Sequence, residues 1–572
     1  YTTRVSKPGF FSWITVAAYH ADAPDVPTSN QPPQLLAMPD RERYQQETEI
    51  APLRVRPHAC RVFLSDGVEK HLYLNLDHKP QRQKQKVNTL QKYVDEHPTG
   101  WKKRRALADL QYAMGQWEDA IAAYRGAMSK HPRCLISWLR LGEMLHLLNR
   151  EDEAIAAYEQ ARSVSGNQAT QHHIEGCIAT CRQQFYPAVQ AFKAATELVP
   201  DQPANWRSLA LTYLDSDHPI EALEAFDTLL QRHPDDLIAL VYSHDALRAV
   251  GQDTEAQRRI TRALALDPGN VPALVHRINH LTHIEGERGT TSQTCRKLIR
   301  HALQLAPDAP EVHASRARHH MSRGEWQRGL EGLRAFTVQH PKSPMGWYYA
   351  AQGHFRAGHL KTASHAIQQA YVLDHHDAAI LRTACQILTA TGEVAELQPI
   401  LDHLLQDFSD HWRTWTTAGY VWLQAYGENA RACDASARGP QLQPALAQAW
   451  IRHGHVLALA GHHREAIAAL ETGWHALPEA GGDHLSVPAA VKLGQSYQAI
   501  GETTSAQQWC TQALQLTQEL MTTNPASASY WQGRAYVILS QEEHARKALR
   551  AALRQHLFYP ARQEAQELLA QT

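Results

Sequence analysis

A period of 34 residues runs through most of this chain and constrains its fold more than any other feature. Five prolines are separated by 34 or 68 residues, namely Pro98, Pro132, Pro200, Pro234 and Pro268. Gly166 stands where this series lacks a proline. Self-similarity at such a period indicates a repeat architecture, in which each unit packs only on its neighbours. Most of the 572 residues are therefore predicted to form one array.

One unit shows what the period contains. Its fourth, seventh and eleventh places hold Trp138, Leu141 and Leu145. These residues share one face of a helix, because spacings of three and four return to the same side. Gly142 in the eighth place lets another helix come close. A second helix follows, with the small Ala154 in the twentieth place. It ends at the thirty-second place, which holds Gly166 in this unit and proline in other units.

Glycines recur where the two helices of a unit should be joined. A left-handed backbone conformation at such a turn costs glycine little. The predicted turn glycines are Gly115, Gly251, Gly324, Gly358, Gly392, Gly461 and Gly501.

This pattern resembles the tetratricopeptide repeat. The resemblance implies an all-α fold, a right-handed α-solenoid of about 13 tetratricopeptide-type helix pairs preceded by a helix near residues 88–97. The units are predicted to begin near residues 101, 135, 169, 203, 237, 271, 310, 344, 378, 412, 447, 487 and 528. A capping helix is expected at the end, because a stack otherwise exposes an apolar face.

The residues before the array differ in composition. Residues 9–18 are apolar and resemble part of a secretory signal or a membrane-contact segment, and residues 22–58 are rich in proline, which favours extended chain. The runs 62–64 and 72–74, on either side of an Asp-Gly turn, predict a short β-hairpin. The predicted domains are an N-terminal extended arm (1–58), a hairpin with a basic linker (59–87), the solenoid (88–560) and the C-terminal capping helix (561–572).

Composition argues against several classes of function. Lys plus Arg number 57 and Asp plus Glu 58, so no overall field draws the chain to nucleic acid, and none is expected as a partner. No run reaches the 18 to 20 apolar residues of an ordinary membrane span. The eight cysteines are scattered and are expected to be isolated thiols. Phosphate-loop, zinc-protease and nucleophile-elbow motifs are absent, so we expect no catalytic residues, no cofactor and no small-molecule ligand.

Histidine is unusually frequent, at 35 residues. The strongest small cluster with ligand-like spacing is His173, Cys177 and Cys181. A metal site needs three or four convergent ligands with supporting groups around them. Small residues in a tight helical interface are the simpler interpretation, and no metal site is expected. The many histidines also suggest that partner affinity changes between about pH 5.5 and 7.5.

The resemblance also implies where a partner would bind. In the family, residues in the second, fifth, ninth and twelfth places of the first helix line the groove. Here those places carry side chains suited to hydrogen bonding with an extended peptide. The alternative for each is ordinary solvated helix surface. The predicted partner-binding residues are Lys102, Arg105, Tyr112, Arg207, Arg248, Arg318, Tyr348, Arg382, Arg413, Tyr420, His455 and Tyr536.

The sequence therefore favours a non-enzymatic protein–protein interaction scaffold or assembly subunit. It would bind one or more proteins, including extended peptide segments, through the concave solenoid surface and the N-terminal arm. The alternative is an accessory subunit of a membrane-associated or envelope export or enzyme complex, with membrane contact through residues 9–18. An enzyme using the histidine clusters is a third hypothesis. The compartment stays open, with the cytoplasm slightly favoured over a periplasmic or membrane-associated location.

Overall fold

The computed structural model describes residues 61–63, 69–71, 80–113, 116–147, 150–284, 289–478 and 484–571. These residues contain two strands, β1 (Arg61–Phe63) and β2 (Glu69–His71), and 28 helices. The helices before the middle of the chain are α1 (Pro80–Glu96), α2 (Trp101–Ala113), α3 (Trp117–Met128), α4 (Leu135–Leu147), α5 (Glu151–Val164), α6 (Gln168–Cys181), α7 (Phe185–Leu198), α8 (Pro203–Asp215), α9 (Pro219–Arg232), α10 (Leu237–Ala249), α11 (Asp253–Leu266), α12 (Val271–Ile284) and α13 (Gly289–Leu305). The remaining helices are α14 (Pro310–Ser322), α15 (Trp326–Gln339), α16 (Pro344–Ala357), α17 (Leu360–Leu373), α18 (Ala378–Thr391), α19 (Val394–Asp407), α20 (Trp412–Gln424), α21 (Asn429–Leu442), α22 (Ala447–Leu459), α23 (His463–His475), α24 (Ser486–Ala499), α25 (Thr503–Thr523), α26 (Pro525–Ile538), α27 (Glu542–Arg554) and α28 (Ala561–Gln571).

Helices α2 to α27 form thirteen consecutive pairs, so the all-α fold of tetratricopeptide-type helix pairs is confirmed. We call the even-numbered members first helices and the odd-numbered members second helices. The first helices begin within three residues of the predicted positions, and the largest difference is at α26, which Pro525 opens. Helix α1 begins at Pro80, earlier than predicted, and α28 occupies the predicted place of the cap.

The predicted β-hairpin is not borne out as the sequence placed it. The strands β1 and β2 are each three residues long and are neighbours in one small sheet. The second strand lies before residues 72–74, where it was predicted, and residues 72–79 lie outside the described residues. The predicted extended arm, residues 1–58, also lies outside them, as does the apolar segment 9–18. Among the helices of the described ranges, none combines the length and apolar character needed to span a membrane.

The described residues belong to two compact units. Unit 1 contains residues 70–246 and 258–274, and unit 2 contains residues 247–257 and 275–571. In unit 2 each first helix from α14 to α24 touches the next first helix as well as its own second helix. This packing brings side chains from successive first helices, 34 residues apart in sequence, onto neighbouring positions.

Small residues allow the two helices of a pair to approach closely. A Cβ added at Gly142 would lie 2.7 Å from the ring of Tyr158, and one added at Gly176 would lie 2.6 Å from the ring of Phe192. In unit 2, Gly494 approaches Cys510 in the same way. The twentieth-place alanines are fully buried at 0% exposure, among them Ala154, Ala222, Ala363 and Ala466. The predicted roles of the eighth and twentieth places are therefore confirmed.

The fourth-place tryptophan makes a hydrogen bond in addition to its packing. Its indole Nε1 donates to the carbonyl oxygen six residues earlier, in the loop that enters the helix. The distances are 2.8 Å from Trp138 to Pro132, 2.7 Å from Trp206 to Pro200, and 2.8 Å from Trp347 to Pro341. In the seventh pair His313 replaces the tryptophan, with its Nε2 2.6 Å from the Pro307 oxygen. His313 thus fills a structural place of the repeat.

One residue in the turn between the two helices of a pair has a left-handed backbone conformation, as predicted. Six of the seven predicted turn glycines have φ between 75° and 86°, and Gly115 lies outside the described residues. Three pairs place another residue in this turn with positive φ, namely Gln183 at 56°, Asp217 at 63° and Ser540 at 57°. These side chains take a conformation that costs L-residues roughly 1 to 2 kcal/mol.

Replacing Gln183 with glycine is expected to stabilise unit 1. The side chain of Gln183 is exposed, so the change removes the cost of the left-handed conformation and little else. Glycine adds freedom to the unfolded chain, which leaves a net gain of about 0.5 to 1 kcal/mol in the free energy of unfolding. Urea unfolding followed by helical circular dichroism measures it. The matched control is Gly392→Ala, where no atom lies within 4 Å of the added Cβ and only strain is introduced. A less stable Gln183→Gly variant would contradict this account of the turn.

Candidate partner-binding site

Two predicted residues in unit 1 are buried ion-pair partners. Arg105 is 2% exposed, and its Nε lies 3.9 Å from a carboxylate oxygen of Asp109. Arg207 is also buried, and its Nε donates to Asp236 over 2.8 Å. Truncating one member of such a pair leaves the other charge buried, which is costly. The Arg105 pair lies within α2, whereas the Arg207 pair joins α8 to the loop that enters α10.

The other two predicted residues of unit 1 lie on α2. Lys102 is half-buried, with its ammonium 5.6 Å from the centroid of the Trp101 ring. Tyr112 belongs to the helix, but its side chain lies outside the described part of the chain. The Arg105 guanidinium lies 5.7 Å from the centroid of the same ring, so Lys102 and Arg105 come together at Trp101.

The eight predicted residues of unit 2 are all half-buried. Three of them have local partners. Arg248 is 3.2 Å from a carboxylate oxygen of Asp253, the Arg413 guanidinium lies 5.0 Å from the centroid of the Trp412 ring, and the Tyr536 ring lies 5.2 Å from that of His544. The remaining five, Arg318, Tyr348, Arg382, Tyr420 and His455, fall into two clusters on neighbouring first helices.

The first cluster, here called the arginine cluster, consists of Arg318 on α14, Tyr348 and Arg356 on α16, and Arg382 on α18. Burial lowers the pKa of the Arg318 and Arg356 guanidinium groups, and the two cations repel each other. Burial also raises the pKa of Tyr348. Among the described residues neither Arg318 nor Arg356 makes an ion pair with a carboxylate, and the Nε of Arg318 is buried without a hydrogen bond. The cluster is a half-buried concentration of positive charge.

The second cluster, here called the lysine cluster, consists of Tyr420 on α20, Arg452 and His455 on α22, Lys492 on α24 and Arg534 on α26. Burial, with Arg534 and Arg452 nearby, lowers the pKa of Lys492 to about 7. Burial and the same cations hold the pKa of His455 well below 6.5, and burial raises that of Tyr420 to about 12. The hydroxyl of Tyr420 lies 2.6 Å from Nδ1 of His455, which links two helix pairs.

Residues near the C-terminus reach both clusters. The Tyr559 amide donates to the Arg356 carbonyl over 3.0 Å, and the Arg562 guanidinium donates to the Ala357 carbonyl over 2.6 Å, across 205 residues of sequence. Glu564 approaches Arg534 to 3.2 Å. Within unit 2 the last helix therefore contacts α16 as well as α26.

Comparison with known proteins identifies the repeat. The tetratricopeptide-repeat family profile matches residues 105–169, which span the second helix pair and parts of its neighbours. Residues 105–169 therefore carry a tetratricopeptide repeat, and the described helix pairs share its fold. Proteins of this fold typically mediate protein–protein interactions and the assembly of complexes.

The relatives found by sequence comparison are distant. The protein named CTR9 homolog from Arabidopsis thaliana is 21% identical over 319 residues, which cover 54% of this chain and 29% of that protein. The aligned region thus spans under a third of that relative. Among solved structures, the APC/C hetero-tetramer Cut9–Hcn1 is 14% identical, with coverage of 87% of this chain and 95% of that chain and a TM-score of 0.44. Yeast Tom70 is 10% identical, with coverage of 70% and 96% and a TM-score of 0.35.

The predicted His-Cys-Cys spacing does not become a ligand cluster in this repeat protein. His173 Nδ1 lies 2.9 Å from the side-chain oxygen of Asn205, whereas Cys181 Sγ lies 3.5 Å from Nδ1 of His146. Cys177 is buried and is not part of a disulfide. The structure instead gathers potential ligands from residues distant in sequence, because stacking places one helix pair against the next.

Sequence reasoning missed Arg356, Arg452, Lys492 and Arg534. They lie outside the four places that the family uses for its groove, so position within the repeat did not single them out. A search for basic residues on any face of successive first helices would have found them. Arg318 and Arg382 were found because they occupy the ninth and fifth places.

Proposed function

We propose that this chain is a non-enzymatic scaffold or assembly subunit, and that the first-helix surface of unit 2 binds an acidic segment of a partner protein. The observation that carries the proposal is the arginine cluster, in which Arg318 and Arg356 are half-buried and make no ion pair within the described ranges. The lysine cluster adds a second concentration of positive charge on the helices that follow.

Uncompensated buried cations favour an anionic ligand for a physical reason. Removing a cation from water costs free energy unless an anion or hydrogen bonds replace the water. A carboxylate placed between Arg318 and Arg356 would supply both, and a guanidinium binds a carboxylate through two parallel hydrogen bonds. Tyr348 and Tyr420 provide apolar ring surface beside these charges, which suits an extended peptide backbone.

Peptide binding to the full chain tests the proposal. The probes are a fluorescent peptide rich in Asp and Glu, the same peptide with Asn and Gln in their place, and a single-stranded RNA of similar charge. We expect the acidic peptide to bind at least about tenfold more tightly than the neutral one, with affinity falling as salt screens the charges. Binding of the RNA without binding of the acidic peptide would overturn the proposal.

Binding should also depend on pH through Lys492. Its pKa near 7 in the free protein would rise once an anion lies nearby. Among the described residues the charges that act on it are the cations Arg534 and Arg452 and one carboxylate, that of Glu564. A proton is then taken up on binding, so affinity is constant below pH 7 and falls by at least roughly tenfold as the pH rises to about 9. This window lies above the predicted histidine response, and burial holds the pKa of His455, in the same cluster, well below 6.5.

Titration calorimetry of the acidic peptide between pH 6 and 9 measures this dependence. In Lys492→Arg the charge persists at high pH, so the affinity should stay nearly constant. Lys547→Arg, on the exposed face of α27, is the matched control and should keep the wild-type dependence. A wild-type pH profile in Lys492→Arg would show that another group titrates.

A further inference from the structure

Three side chains that could bind a metal ion converge on the second helix of the ninth pair in unit 2. His376 lies in the turn between α17 and α18, while His403 and Asp407 lie one helical turn apart on α19. Nε2 of His403 is 2.8 Å from Oδ2 of Asp407, and Nδ1 of His376 is 3.5 Å from the same oxygen. The three ligand atoms lie within 4.8 Å of one another.

We propose that His376, His403 and Asp407 bind a divalent transition-metal ion of the zinc class. Two imidazoles and a carboxylate are the ligands that Zn²⁺ accepts, and imidazole also suits Ni²⁺ and Cu²⁺. Bonds of about 2.0 to 2.1 Å in a tetrahedron place the ligand atoms roughly 3.4 Å apart. The 3.5 Å between Nδ1 of His376 and Oδ2 of Asp407 matches this value. The 2.8 Å between Nε2 of His403 and the same oxygen is shorter, and a small rotation of the Asp407 side chain would lengthen it.

A further imidazole, that of His375, lies beside the three ligands. Its ring centroid lies 4.2 Å from that of His376 and 5.6 Å from that of His403. The edge of the Tyr371 ring packs against His375 and His403, with centroids 6.4 Å and 6.3 Å away, which limits the orientations of both imidazoles. A ligand set that is already oriented loses less conformational entropy when the ion binds.

The exposure of the site allows an ion to enter from solvent. The side chain of His376 is 55% exposed, while those of His403 and Asp407 are 19% and 23% exposed. One ligand is thus accessible and two are held on a packed helix. An ion there would join the turn after α17 to α19, and so would link the eighth helix pair to the ninth.

Metal titration of the full, untagged chain tests the assignment. After treatment with a chelator, the protein is titrated with Co²⁺, which absorbs visible light strongly in tetrahedral sites, and then with Zn²⁺ in competition. We expect one equivalent of Co²⁺ to bind with such a spectrum, to be displaced by Zn²⁺, and the melting temperature to rise with Zn²⁺.

Variants separate this site from the many other histidines. His403→Gln and Asp407→Asn should each weaken binding at least about 100-fold, since even indirect partners of a ligand matter 10- to 100-fold. His463→Gln, from another histidine doublet, is the matched control and should bind as the wild type does. Circular dichroism confirms that each variant is folded. Wild-type affinity in His403→Gln, or no stoichiometric binding of Co²⁺ or Zn²⁺ by the wild type, would overturn the proposal.

Discussion

Gly176→Val is expected to destabilise unit 1 by at least about 3 kcal/mol, measured as the free energy of unfolding in urea. The Cβ alone would lie 2.6 Å from the Phe192 ring, and valine adds two further carbons at the same point. Phe192 is fully buried, so its ring cannot turn away into solvent. The two helices of the third pair would have to separate, which also exposes the apolar surface between them.

The control uses a glycine that has space around it. No atom lies within 4 Å of a Cβ added at Gly166, so Gly166→Ala should leave the unfolding curve nearly unchanged. Gly176→Ala should lose about 1 to 3 kcal/mol, and combining it with Phe192→Leu should restore part of that loss, because the smaller side chain makes room. An unchanged urea-unfolding curve for Gly176→Val would mean that the close approach of α6 and α7 at Gly176 does not stabilise this helix pair.

The repeat was predictable because each of its features serves a contact inside one pair or between adjacent pairs. Gly142 packs against Tyr158, and Trp138 donates a hydrogen bond to the carbonyl of Pro132. Equivalent contacts in other units have the same separation in sequence. Such contacts recur every 34 residues and are visible as a period. The predicted start of α1 was less accurate, because this helix begins at Pro80, before the first repeat, and the sequence contains no earlier repeat with which to compare it.

The features that define the candidate sites were not predictable in the same way. The contact of Arg562 with Ala357 joins residues 205 positions apart, a separation that no single repeat contains. His376 meets His403 and Asp407 only because the turn after α17 packs beside α19. Nothing periodic marks either contact. Their chemistry depends on which side chains happen to occupy neighbouring positions of the stack.

Reversing two charges should abolish binding of an acidic partner. In Arg318→Glu/Arg356→Glu, two cations of the arginine cluster become anions, and affinity for the acidic peptide should fall at least about 100-fold, since each hydrogen bond to a charged group contributes roughly 1.5 to 3 kcal/mol. Fluorescence anisotropy of the peptide measures it. Arg438→Glu/Arg550→Glu makes the same change of net charge on exposed second-helix positions and should lose little affinity.

A neutral pair of substitutions distinguishes a binding role from a structural one. Arg318→Gln/Arg356→Gln removes two half-buried cations that make no ion pair in the described ranges, so the melting temperature of the free protein should stay the same or rise. Affinity for the acidic peptide should still fall at least about tenfold. Residues kept only for stability would give the opposite result, with a lower melting temperature and unchanged affinity. Retention of stability together with loss of binding is expected when a fold keeps unfavourable charge for a partner to neutralise.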